Sequence, residues 1–223
     1  MVIDRLRRWA RGHTRENRYS PVGLAFHWII AALVFFQLGW GWHAARLPAG
    51  YGKIAAYELH TQTGLLILVI TLARMGWRMV VPGPQNDADK PGWQSTAAHV
   101  THYVFYASLI GLPISGWAMW SATAQEQPLS LAGVLPWPAL PFQELPGALR
   151  WRIEDWAGVA HLGFVITLLV LIPVHVGAAL KHHLWDRDDS LVGMLPLLKH
   201  PGRREEPKRS PPATGSRRPS AAG

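Results

Sequence analysis

The chain has 223 residues, 49% apolar and 16% charged, a balance tilted away from ordinary soluble domains. Cysteine is absent, which excludes disulfides, thiolate zinc sites, iron-sulfur clusters and thioether-linked haem. The formal charge of +8 does not point to nucleic acid, because Lys and Arg gather beside apolar runs rather than along one soluble face.

In chain order, residues 1–20 form a basic N-terminal segment. Ser20 and Pro21 read as an N-cap and a first-turn proline that open a helix. The apolar run Val22–Trp42 follows without Asp, Glu, Lys or Arg. It exceeds the 7–15 residues, roughly, of a signal-peptide core and carries His27 and Gln37, so it reads as a retained span. Leu59–Val81 is the second span, with Arg74 and Arg78 near its end, where long side chains can snorkel to headgroups. Ala97–Ala124 and Trp156–Leu180 are the third and fourth. Each reaches the roughly 20 helical residues a bilayer core requires.

Between the last two spans, Gln125–Arg150 is rich in Pro and Leu and reads as a packed, partly interfacial cap. Residues 198–223, rich in Pro, Ser, Gly and Arg, read as a disordered basic tail, which leaves 21–197 as the membrane domain. These polar ends dilute the apolar runs and bring the mean hydropathy close to zero. Lys and Arg number eighteen on the side of the two termini and four on the other. The expectation is an all-α, integral membrane four-helix bundle in a bacterial inner (plasma) membrane, both termini cytoplasmic.

Polar residues inside a bilayer are costly and mark function. His27 lies near the inner end of span one, His60 near the outer end of span two, and span four carries His161 and His175. The 14-residue spacing of the last pair returns to within roughly 40° of one helix face, about 21 Å along the axis. By depth, His175 meets His27 and His161 meets His60. Two facing imidazoles at each of two levels are what two haem b groups require as axial ligands. A lone membrane histidine is as readily an interhelical hydrogen-bonding group; depth-matched pairs favour ligation.

Other residues carry weaker signals. Arg74 is 14 residues from His60, at the inner level, and reads either as a partner for a haem propionate or as a topology-setting cation. His99 and His102 share a face of span three, where either can replace His27 or line a quinone pocket. His43, His182 and His183 sit at the water boundary. Gly64, Gly163 and Gly177 read as points of close porphyrin approach or as ordinary membrane helix packing. Pro113 and Pro173 read as kinks in spans three and four.

The stretches RYSPVGLAFHW, ELHTQTG, THYVFY with LPISGWAM, and above all HVGAALKHHLWDRDDSLVGMLP resemble the bacterial cytochrome b561 family. That family is related to the cytochrome b subunits of nickel-iron hydrogenases and formate dehydrogenases. The resemblance covers roughly Arg18 to Pro196. It implies a dihaem bundle ligated from the first, second and fourth spans, here by His27, His60, His161 and His175. It also implies electron transfer between an outer-face donor, superoxide in one well-studied member, and ubiquinone.

The competing expectation within this class is an anchor subunit fed by a partner dehydrogenase or hydrogenase rather than by a periplasmic donor. A histidine-lined metal or proton transporter is the alternative of a different class. It is disfavoured because the runs lack Asp and Glu after Glu58. Lipid and quinone are the expected partners, nucleic acid is not, and a homodimer is left open.

Overall fold

A computed structural model describes residues 2–14, 19–81, 92–123, 128–186, 191 and 193–195, with side chains given for 2–10 of the first segment. The basic tail at 198–223 lies outside these residues. The described chain is mostly helical: α1 (Val2–Thr14), α2 (Pro21–Arg46), α3 (Tyr51–Val80), α4 (Gly92–Ala122) and α5 (Gly147–Leu184), with a hairpin of β1 (Ser130–Leu131) and β2 (Leu135–Pro136) before α5.

Local chemistry sets the ends of the long helices. The Ser20 hydroxyl accepts a hydrogen bond from the Gly23 amide at 3.2 Å, and Pro21 follows in the first turn, so α2 starts where its sequence dictates. The same hydroxyl accepts from Trp77 Nε1 at 3.1 Å, tying the start of α2 to the end of α3. At the other end of this helix pair, Lys53 Nζ donates to the Ala45 and Leu47 carbonyls. A cation thereby satisfies the carbonyls that the end of α2 leaves open.

α2, α3 and α5 are long and apolar enough to cross a membrane. The 31 residues of α4 suffice in length and include no Asp, Glu, Lys or Arg, but His99, His102, Tyr103, Tyr106 and several serines make it less apolar than the expected third span. Of the 38 residues of α5, only Leu168 is buried, while Val159, Leu162, Ile166, Leu169, Val170 and Val174 lie exposed. A helix apolar on every face requires an apolar solvent. α2 packs on α3, α3 on α4 and α4 on α5, whereas α2 and α5 make at most slight backbone contact. Gly111 lets α4 and α5 approach closely: a Cβ added there would collide with the Phe164 ring.

Ile30 and Val34 of α2, Ile67 of α3, Leu109 of α4 and Leu168 of α5 form one buried cluster at mid-bundle. Leu168 is seven residues from both His161 and His175, hence about 10 Å from each along the axis and on the same stripe. A second cluster, Leu65, Trp120 and Leu129 with Trp117, Leu131 and Trp137, seats the hairpin on the ends of α3 and α4. Trp117 Nε1 donates to the Pro138 carbonyl, the Leu140 amide to the Ser121 hydroxyl, and Gln143 Nε2 to the Ser121 and Thr123 carbonyls. Leu129 is buried and Ser130, Leu131 and Trp137 are half-buried, while most other described residues of the Gln125–Arg150 connection, Val134 and Leu135 among them, are exposed. Its turn needs left-handed backbone at Ala132 (φ 52°) and Gly133 (φ 72°).

Past the end of α5, the Asp186 carboxylate accepts from Lys181 Nζ at 2.8 Å and pairs with His182 Nδ1 at 2.6 Å. The Lys181 hydrogen bond, then that of His182, holds this exposed carboxyl below its ordinary range. A depressed folded-state value means the contribution is present above the unfolded value and lost as pH falls through the folded one. Hydrogen exchange at 181–186, corrected for intrinsic rate, is expected to rise as pH drops below the usual carboxylate range. In the mid-bundle cluster, Leu168→Ala is expected to cost about 2–5 kcal/mol, read by chemical denaturation in detergent.

Candidate functional site

The four histidines singled out by depth meet in two pairs. His27 of α2 and His175 of α5 have ring centroids 6.4 Å apart, inclined by 57°. His60 of α3 and His161 of α5 lie 6.1 Å apart, inclined by 64°. Two imidazoles that bind one metal from opposite sides, each through a nitrogen at about 2 Å, hold their ring centres roughly 6 Å apart. Both pairs meet that spacing. Each offers two donors, the number that a porphyrin iron leaves to the protein. Among the described residues, no group of three or more His, Cys, Asp or Glu is placed to chelate a bare metal ion.

The outer pair is held by its neighbours. His161 Nδ1 lies 3.1 Å from the Leu112 carbonyl and 3.0 Å from Ser115 Oγ. A carbonyl can only accept, so Nδ1 carries the proton and Nε2 is left as the free donor atom. Pro113, inside α4, lies between these two partners, and Ser115 Oγ also donates to the Gly111 and Leu112 carbonyls. The Cε1 edge of His60 presses on the α2 backbone: a Cβ on Gly41 would sit 2.8 Å from its Cε1. Gln37 Nε2 donates to the His60 carbonyl at 2.6 Å, locking the ring's own backbone to α2.

The buried Nδ1 atoms of His27 and His60 have no protein hydrogen-bond partner. Leaving such groups unsatisfied costs about 1–3 kcal/mol each, a cost typical of a functional site rather than of a packing core.

The inner pair has different company. Phe105 of α4 lies edge-on to His175 at 5.2 Å, and His102 also stands 6.4 Å from it. Distance alone thus does not choose between His27 and His102. His99 is turned away, its Nδ1 on the Ser95 carbonyl at 2.8 Å. Arg74 stands within electrostatic reach of both His27 and His175 and lies beside Tyr106. With Tyr19, Ser20, Gly23, Trp77, Arg78 and Met194 it lines a cleft at this end of the bundle.

Gly64 faces Gln37, and no heavy atom lies within 4 Å of a Cβ at Gly163 or Gly177; two further glycines face the paired histidines, Gly41 against His60 and Gly116 against His161. Nothing in the local sequence around Gly41 marks it, since its neighbour is brought by another helix.

Paired imidazoles within long apolar helices are the arrangement that a membrane cytochrome of the b type requires. The sequence matches the family described as prokaryotic cytochrome b561 over residues 18–197, and the chain belongs to that family. It is 33% identical to cytochrome b561 homolog 2 of Escherichia coli K12, over 80% of this chain and 92% of the relative. Identity to homolog 1 of the same organism is 26%, covering 82% and 99%. A Yersinia pestis protein named a probable superoxide oxidase, CybB, is 25% identical over 81% of this chain and 97% of its own length. Membership makes the chain a haem-binding membrane protein of electron transport, an oxidoreductase in the broad sense.

Gly41→Val is expected to push the His60 ring out of line. Pyridine haemochrome assay of the purified variant should show haem content lowered.

Proposed function

We propose that this chain carries electrons across the bacterial inner membrane through two b haems, one held by His27 and His175 and the other by His60 and His161. The carrying observation is that both pairs adopt the spacing of axial ligands at two levels about 21 Å apart. Haem iron, cycling between ferric and ferrous states, supplies one-electron chemistry that no side chain here offers.

The chain's residues do the rest. α5 presents both of its rings on one stripe, α2 and α3 supply the opposing rings, and Leu112 and Ser115 fix the tautomer of His161. The mid-bundle cluster excludes water between the levels. We assign His27 rather than His102 to the inner pair, because α4 packs directly on α5 while α2 stands off from it, where a flat macrocycle fits. Arg74 and Arg78, in the cleft at that level, hold positive charge toward acidic groups of the cofactor.

In this reading α4 is the third of four spans, completing the bundle, and the basic bias puts both termini in the cytoplasm. An outer-face donor then feeds the His60–His161 level, and quinone accepts electrons near the inner one. Superoxide is the donor favoured by the name of the Yersinia relative.

A reduced-minus-oxidised spectrum of the purified protein tests the reading, with a b-type signal expected and a colourless, cofactor-supplied preparation refuting it. His175→Ala is expected to remove the inner haem and His161→Ala the outer, each halving haem per chain; a variant that keeps both would break the assigned pairing. Superoxide-driven quinone reduction by the protein alone is expected, whereas an idle preparation would favour an anchor subunit fed by a partner.

A further inference from the structure

The first seventeen residues lie before the family match, which begins at residue 18, yet Val2–Thr14 forms a helix. At 100° per residue, Val2, Ile3, Leu6, Trp9 and Ala10 fall within an arc of about 120°, and Asp4, Arg5, Arg7 and Arg8 occupy the remainder. The middle of the apolar arc is docked: Ala10 is 2% exposed, Leu6 half-buried, and Arg7 Nε donates to the Val80 carbonyl at the end of α3. The edges of the arc are open to the surroundings, with Val2 70%, Ile3 53% and Trp9 43% exposed.

α1 therefore sits at the level where α3 ends in Trp77 and Arg78, residue types that mark a membrane border. A helix in that position meets headgroups on its charged side and acyl chains on its apolar one.

We infer that α1 is an interfacial helix that binds anionic phospholipid, inserting Val2, Ile3 and Trp9 at the acyl boundary and setting Arg5 and Arg8 against headgroup phosphates. The occupant follows from the two sides together. Exposed apolar edges alone would suit any greasy partner, but arginines flanking them at the bilayer border match a surface that is apolar below and negative at its rim. The inference rests on the reading of the long helices as membrane-crossing.

The test is hydrogen exchange by mass spectrometry on the full-length haem-loaded protein in nanodiscs of phosphatidylcholine, with and without phosphatidylglycerol. Exchange in residues 2–14 is expected to slow about tenfold when the anionic lipid is present. Arg5→Gln with Arg8→Gln should abolish the lipid dependence, and Ile3→Glu should restore fast exchange in both lipids, haem content staying unchanged.

Equal protection in both lipids would overturn the inference, showing a helix held by protein contacts alone. Protection that grows with protein-to-disc ratio would also overturn it, in favour of a second copy as the partner. Rapid exchange throughout α2, α3 and α5 would defeat the membrane reading itself, whereas protected spans beside an unresponsive α1 would defeat only this inference.

Discussion

An imidazole within a lipid-facing helix must find a partner, because hydrocarbon offers it no hydrogen bond. The bundle is organised around that requirement. α5 is exposed and apolar over most of its surface, and its two inward histidines meet a ring from α2 at one level and from α3 at the other. The standing-off of α2 from α5, the glycine under His60 and the carbonyl on His161 are arrangements around these meetings rather than independent features.

The two levels differ in ways that matter for redox chemistry. In the His60–His161 pair, the His161 ring is clamped by Leu112 and Ser115. The inner pair lies among Arg74, Arg78, Tyr106 and His102, beside an open cleft. On the proposed reading, the nearby guanidinium charge would stabilise the reduced state of a haem held by His27 and His175. Between the levels, Leu168 and its neighbours keep water and its stray protons away.

Much of this was legible in the sequence. Ser20 and Pro21 announce the start of α2, and the spacing of His161 and His175 gives both their shared face and their separation. These are local or periodic signals. Features that depend on which helix faces which were not legible: Gly41 under His60, the carbonyl on His161, and the similar distances of His27 and His102 from His175. The third run was expected to be as plainly a span as the others, but its tyrosines, histidines and serines lower its apolarity. The α1 helix was read only as a basic segment, although its apolar residues at 2, 6 and 9 carry a helical period.

α5 donates one ring to each pair and is the last long helix among the described residues. During synthesis, α2 and α3 enter the bilayer with half-built pairs, and neither pair can close until α5 arrives. On the proposed reading, cofactor capture waits for that helix, and a chain cut short before α5 would forfeit both centres together.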